Sequence, residues 1–284
     1  MKKTVLFLLT LVLMTGFKPG KPAYTLYNNN GKEVSWDILM KRAAGADIIL
    51  FGELHNNPIC HWLQYELTRE LYQRKGDSLV LGAEMFETDN QLLLNELIQG
   101  TIAERNFEAE ARLWPNYKTD YKPLVQFAVE NKIPFIATNI PRRYAALVNR
   151  KGLEALEGLD TEARALMMPL PVPYDPTLPG YKAMMGMGAH ATENLPKAQA
   201  VKDATMAWSI LNHWDKAKCF LHYHGTYHSD GYEGIYWYLQ QYRKGLKILT
   251  ISSVEQDQTD LLAEENAGKA DFTIVIPSSM TKTH

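Results

Sequence analysis

The period of apolar and polar positions changes repeatedly along the chain. Two short β-type runs, Tyr24–Tyr27 and Val34–Trp36, flank Asn28-Asn29-Asn30-Gly31, whose Asn-Gly pair suits a hairpin turn. A short helix is predicted over Trp36–Ala44. Asp47–Phe51 is a largely apolar run that stops at a glycine, as a buried strand does. Pro58–Arg74 places Leu63, Leu67 and Leu71 at every fourth position, the spacing of a helix face. Ser78–Leu81 is the next strand. Helices are predicted over Asn90–Gln99 (with Asp89 as its cap), Glu104–Arg112 and Pro123–Asn131. The strand Pro134–Thr138 follows. Later come the strand Ala217–Tyr223, the helix Gly234–Arg243, and the strands Leu246–Ser252 and Phe272–Ile276.

Strands that are apolar on both faces, each followed by a helix, predict an α/β fold with a mainly parallel sheet flanked by helices. One stretch breaks this alternation. It carries Met167-Met168-Pro169, Pro171, Pro173, Pro176, Pro179 and Met184-Met185-Gly186-Met187-Gly188, shows no strand pattern, and leads into a long helix over Pro196–Trp214. The expected organisation is an α/β domain formed by 21–150 and 215–284, with a smaller helical insertion, or cap, over 151–214.

Composition narrows the function classes. Hydrophobic residues make up 46% and charged residues 22% of the 284 positions, as in ordinary globular proteins. The net charge of −2 lacks the basic surplus of a nucleic-acid binder, so nucleic acid is not an expected partner. Lys2 and Lys3 precede an apolar run, Val5–Met14, interrupted only by Thr10, and small residues follow at Thr15-Gly16. That run is too short to span a bilayer and fits an export signal over residues 1–20. No cysteine follows it, so there is no lipobox cysteine to carry a lipid. The expected location is exported, either periplasmic or associated with the cell surface. Cys60 and Cys219 read as small buried apolar groups rather than as a bridge.

In an open parallel sheet, ligands bind beyond the carboxyl ends of the strands. The polar residues that follow the strands are therefore the candidates: Glu53, His55 and Asn56; Glu84 and Glu87; Asn139, Arg142 and Arg143; His224, Thr226, His228 and Asp230. Gly52-Glu53-Leu54-His55 and Gly225-Thr226-Tyr227-His228 are matching G-x-x-H segments, each directly after a buried strand. The glycine permits a sharp turn or a close approach, and the histidine three positions on is aimed across the sheet edge. His55, Glu84 and His228 have the residue types of a zinc or iron site. Without metal the same groups suit proton transfer, since His titrates near neutral pH. The plain alternative is that Glu53 and Glu84 pair with Arg142 and Arg143 while the histidines satisfy backbone groups. His222, His61 and His213 are expected to be structural. His224 is a weaker candidate, His190 in the Met/Gly-rich stretch faces a ligand if one binds there, and the terminal His284 is expected to be disordered. The insertion reads either as a small core or as an adaptable apolar wall for a large flat ligand.

The G-E-x-H of Gly52–His55, the E-M-x-E of Glu84–Glu87, the N-I-P-R of Asn139–Arg142, the K-D-A-x-M-A of Lys202–Ala207 and the G-x-x-H of Gly225–His228, followed by Gly231 and Gly234, form an ordered set. This set resembles the ChaN-like iron-regulated proteins of the haem-binding-uptake, Tiki-like superfamily, over about Ala46 to Lys244. The resemblance implies haem as cofactor, held by a tyrosine with a histidine contributed across a homodimer. It also implies a role in iron acquisition, with an outer-membrane haem receptor as a further partner. No motif places the tyrosine; Tyr144, Tyr174 and Tyr181 are the candidates in or beside the insertion, with His190 and His228 as histidine candidates. Superfamily relatives such as the erythromycin esterases and Tiki proteases imply a hydrolase that maps onto His55, Glu84 and His228. In that hydrolase a general base, with Glu53 or Glu84 beside it, activates water and Arg142 stabilises an anionic intermediate. A scaffold with a vestigial cleft is the third possibility, disfavoured because carboxylates crowded at a strand edge cost stability unless used.

Overall fold

Runs such as Ile48–Phe51 are apolar at every position, so the strands they form need cover on both faces. The computed structural model, which describes residues 20–186, 192–215 and 218–284, supplies it. The strands are β1 (Thr25–Asn28), β2 (Ile48–Glu53), β3 (Leu79–Glu87), β4 (Phe135–Asn139), β5 (Cys219–Gly225), β6 (Ile248–Gln256) and β7 (Phe272–Pro277). They make one sheet in the order β1-β7-β6-β2-β5-β3-β4, parallel except for β1 against β7. The helices are α1 (Trp36–Ala43), α2 (Pro58–Lys75), α3 (Gln91–Gln99), α4 (Glu104–Glu110), α5 (Lys122–Asn131), α6 (Arg142–Lys151), α7 (Thr161–Arg164), α8 (Pro179–Met184), α9 (Leu195–His213) and α10 (Ile235–Tyr242).

Alternate residues of β2 feed two cores. Ile49 and Phe51 join Leu39, Leu63, Leu67, Leu94 and Leu124, so α1, α2, α3 and α5 cover one face. Ile48 and Leu50 join Val148, Val201, Ala204, Ile235 and Leu239, so α6, α9 and α10 cover the other. The chain travels β2 to β3 to β4 under the first set of helices and returns through β5 to β6 under the second. Direction and face reverse together, which keeps one crossover hand. The return seats β5 between β2 and β3, so the carboxyl ends of these three strands lie side by side. A reversal of this kind opens a crevice at the strand ends.

Within residues 151–214, Leu156, Met167, Met168 and Val172 share the second-face core with α9. Tyr181, Met184 and Ala200 form a separate small cluster, with Tyr174, Leu178 and Leu195 against it. Both cysteines are free and buried. Among the described residues no helix is long and apolar enough to cross a membrane. The expected export signal, apart from Gly20, and His190 lie outside the described residues.

Three local expectations change. The predicted hairpin reduces to a single bridge, Tyr27 to Glu33, because β1 takes its full partner from β7 instead. Asp89 does not cap α3; its carboxylate is occupied by Arg143 and Arg112. β3 continues six residues beyond Leu81, so Glu84 lies inside a strand rather than after one. Its register shifts between Ala83 and Glu87, and the alternation lapses there. Ala83, Met85 and Phe86 all enter the first-face core, while Glu84 reaches towards β5.

Candidate functional site

Glu53 is the last residue of β2 and is buried. Its Oε1 accepts from the Tyr121 hydroxyl at 2.7 Å and lies 2.8 Å from His55 Nδ1. Its Oε2 accepts from Gln64 Nε2 at 2.5 Å. Burial pushes this carboxyl up, but the bond to His55, the charge of His61 and the Tyr121 hydroxyl outweigh it and hold Glu53 below the ordinary range. Burial alone would lower His55; Glu53 and Glu84 reverse this and raise it. The His55 side chain is 37% exposed, its ring edge-on to Trp114 at 4.9 Å.

The second G-x-x-H is built differently. Glu84 Oε2 accepts the Gly225 N–H at 2.8 Å, and Glu84 Oε1 lies 3.1 Å from His228 Nε2. His228 Nδ1 bonds to Asp203 Oδ1 of α9, and Asp203 Oδ2 accepts from the Tyr181 hydroxyl at 2.8 Å. Carboxylates on both nitrogens overcome burial and raise His228 to about 10, so it is an imidazolium at neutral pH. Its charge holds Glu84 well below the ordinary carboxylate range despite burial. Burial keeps Asp203 above that range even with His228 against it. Two glycines make room. A Cβ on Gly225 would stand 2.6 Å from His55 Nε2, and one on Gly234 (φ +52°) would stand 2.3 Å from the His228 carbonyl oxygen.

The structure therefore brings together His55, Glu84, His228 and Glu53, in one alternating row: Glu53, His55, Glu84, His228, Asp203. Its one open interval is the 4.0 Å between His55 Nε2 and Glu84 Oε2. The row borders a cleft of about 240 Å³ lined by His55, Met184, Leu195, Gln199, Gly225, Tyr227 and His228.

Other expectations are corrected by this geometry. For the expected zinc or iron site at His55, Glu84 and His228, no group of three or more His, Cys, Asp or Glu among the described residues is placed to hold a metal. The reason is that both His228 nitrogens and His55 Nδ1 are committed to carboxylates. Arg142 is not part of the row; it is 73% exposed and lies beside Glu87 at 3.9 Å. Glu53 and Glu84 thus pair with histidines, not with Arg142 or Arg143. Tyr181 is buried with its hydroxyl held by Asp203, and burial and that charge keep it far above the ordinary phenol range, against phenolate formation. Tyr144 lies against the Arg143 guanidinium at 4.5 Å, and Tyr174 packs on Tyr181 at 5.7 Å; neither lines the cleft.

His222 and His224 are buried on the second face of β5, and burial pushes His222 down to about 3 and His224 well below its ordinary value. Thr138 donates its hydroxyl proton to the Ala83 carbonyl, so it accepts from His222 Nε2 at 2.7 Å. His222 Nδ1 then accepts from His224 Nδ1 at 3.0 Å, and His224 Nε2 accepts from the Ser229 hydroxyl at 2.8 Å. This neutral chain satisfies both rings internally.

Four residues of the site were not anticipated: Tyr121, Gln64, Asp203 and Tyr227. Tyr121 closes a π-helical turn, Tyr117–Tyr121, a geometry without a periodic signature. The signal for Asp203 was present, an acid inside the otherwise buried face of a helix. Tyr227 is the aromatic inside the second G-x-x-H and is 69% exposed at the mouth of the cleft.

Over residues 39–239 the sequence matches the family described as haem-binding uptake, Tiki superfamily, ChaN. A structure of ChaN from Campylobacter jejuni, described as cofacial haem binding, aligns with a TM-score of 0.66 at 18% identity, covering 90% of this chain and 97% of that one. A succinoglycan biosynthesis protein aligns at 0.53 and 11% identity (84% and 90% covered). A Bacillus cereus protein aligns at 0.50 and 12% (84% and 90%). At such identities the structural likeness is one of fold. No curated protein matches the sequence. With most of its length matched by the family, the chain belongs to the ChaN group of haem-binding uptake proteins in the Tiki superfamily.

Proposed function

We propose that this protein binds haem across the open mouth of the cleft, with Tyr227 as the residue that meets the iron. The observation that carries this is Tyr227 itself, a large aromatic 69% exposed beside Met184, Leu195 and His55. A hollow of about 240 Å³ is smaller than the cavities that enclose drug-sized ligands. A flat macrocycle therefore suits its rim rather than its interior, with exposed Met185 extending the apolar surface. A ferric haem accepts a phenolate oxygen as axial ligand. With haem bound, Tyr227 would supply that oxygen, Met184 and Leu195 would offer apolar surface to the macrocycle, and His55 a polar contact. The cofacial haem binding described for ChaN of Campylobacter jejuni supports a surface-laid ligand whose outer side is then covered. Export, a homodimer that provides this cover, and haem exchange with an outer-membrane receptor complete the proposal. Titration of hemin into the wild type should give a saturable Soret band that shifts and weakens in Tyr227→Phe. An identical spectrum and affinity in that variant would remove Tyr227 from the role, and no band at micromolar hemin would overturn haem binding.

A second function is favoured by one contact. The buried Glu53 holds His55 Nδ1 at 2.8 Å, which leaves Nε2 as a base turned to the cleft. In this hydrolase His55, not the locked His228, activates water, and Arg142 has no part. Ester and amide substrates should be turned over by the wild type and not by His55→Gln; a wild type inert with and without added zinc, manganese or iron would end this alternative.

A further inference from the structure

The loop that carries His55 is held from a side that the cleft does not use. Beyond β7 the chain runs back over the carboxyl edge of the sheet. There the Thr283 N–H donates to the Asn56 carbonyl at 2.9 Å. Its hydroxyl donates to Asp120 Oδ2 at 2.7 Å. The adjacent Lys282 pairs with Glu255, whose Oε1 also accepts from Asn57 Nδ2 at 2.8 Å.

Asp120 is the hinge of this arrangement. It is 3% exposed, and the oxygen that takes Thr283 also takes Asn116 Nδ2 at 2.7 Å and lies 3.3 Å from His61 Nε2. Asn116 and His61 in turn both hold the His55 carbonyl oxygen, at 2.8 and 3.1 Å. His55 and Asn56 lie in the turn between β2 and α2, with no ladder or helix bonds of their own to fix the backbone. One local bond closes the turn, from the Asn57 N–H to the Leu54 carbonyl at 2.9 Å, while the His55 and Asn56 carbonyls are held by donors brought from elsewhere.

We propose that Thr283 is a positioning residue for His55, a strap that fixes the turn after β2 through Asn56 directly and through Asp120, Asn116 and His61 indirectly. With the strap in place, the His55 ring stays between Glu53 and Trp114. With the strap loosened, the turn samples other conformations and the bond from Nδ1 to Glu53 is kept for less of the time. Thr283 is itself partly exposed and outside the main cores, so its effect on global stability is small.

The test needs no hemin and no substrate, so its failure is separable from failure of the haem or hydrolase proposals, on which only the importance of His55 rests. Histidine Cε1–H signals are titrated by NMR in the wild type, Thr283→Val and Thr283→Ser, with hydrogen exchange followed at amides 55–58. In Thr283→Val the His55 midpoint should move down towards that of an ordinary histidine. Exchange should quicken about tenfold, with the thermal midpoint nearly unchanged. Thr283→Ser, which keeps the hydroxyl, should restore both. A His55 midpoint and exchange rates equal to wild type in Thr283→Val would overturn the proposal. So would Thr283→Ser behaving like Thr283→Val. Should Thr283→Val lose the fold, Lys282→Ala provides the second arm, with the same downward movement expected and an unchanged midpoint again counting against the strap.

Discussion

The two G-x-x-H turns leave neighbouring strands with the same spacing, yet their histidines end in opposite states. His55 has one carboxylate within hydrogen-bond distance, on Nδ1, with Glu84 standing off at 4.0 Å from Nε2, and a side chain 37% exposed. His228 has carboxylates on both nitrogens and a side chain 6% exposed. The difference comes from what packs on each turn. α2 and the π-turn bring Gln64 and Tyr121 to Glu53, leaving His55 open to the cleft. α9 brings Asp203 onto His228 and closes it in. One turn leaves its histidine half open to the cleft and the other locks its histidine between two carboxylates, although the two motifs read alike.

The largest expected effect is at the residue the two turns share. Glu84→Ala leaves the buried imidazolium of His228 with one carboxylate fewer and should cost about 3–5 kcal/mol in urea unfolding. A loss under about 1 kcal/mol would mean that His228 is not a charged group, which removes the contrast. The pH dependence sharpens the same point. His228 is raised from 6.5 to about 10 on folding, so its contribution is fully present below pH 6.5 and is lost as pH rises through about 10. Glu84 is lowered, so its contribution is present above pH 4.5 and is lost as pH falls below that value. Unfolding midpoints measured at pH 3.5, 6.5 and 10 are expected to peak at the middle value, and Asp203→Asn should flatten the alkaline limb. A flat wild-type profile from 6.5 to 10 would contradict the locked imidazolium.

Each half of the row ends in a buried phenol, so Tyr121→Phe and Tyr181→Phe are matched tests. Each removes one hydrogen bond to a carboxylate and should cost about 1.5–3 kcal/mol. If only Tyr181→Phe is destabilising, Glu53 does not need its donor and the two ends are not equivalent. The smallest stability effect belongs to His55→Ala. Its half-open pair should contribute no more than about 1 kcal/mol, while ligand binding or turnover suffers more than in Asp203→Asn or Tyr181→Phe. A large loss of stability with binding intact would invert the comparison.

Much of the framework was legible in the residues. The apolar runs ending at Gly52 and Gly225 located β2 and β5, and the Leu63, Leu67, Leu71 spacing located α2, because burial of a face imposes a local period. The same runs fell short by several residues at β3. Its last part carries Glu84 and Glu87 among apolar neighbours, and a register shift there abolishes the alternation that marks a strand. The π-turn that delivers Tyr121 and Asp120 has no period to read. Tyr144 and Tyr174 lie in the expected region but face the second-face core and the small cluster around Tyr181, whereas exposed Tyr227 stood unmarked inside a motif already in view.

By itself the chain determined that a parallel sheet would form and that Glu53, His55, Glu84 and His228 would arrive at one edge of it. Apolar periodicity and strand-ending glycines are short-range properties, complete within a few residues. Only the tertiary structure decided which carboxylate meets which histidine. Asp203 lies 25 positions before His228, and Glu84 lies 141 before the Gly225 amide it accepts from. Charge and protonation follow distances of about 3 Å between elements remote in sequence, set by how α9 and the π-turn pack. The matched motifs therefore placed two histidines at the edge, while packing left one half open to the cleft and closed the other in between two carboxylates.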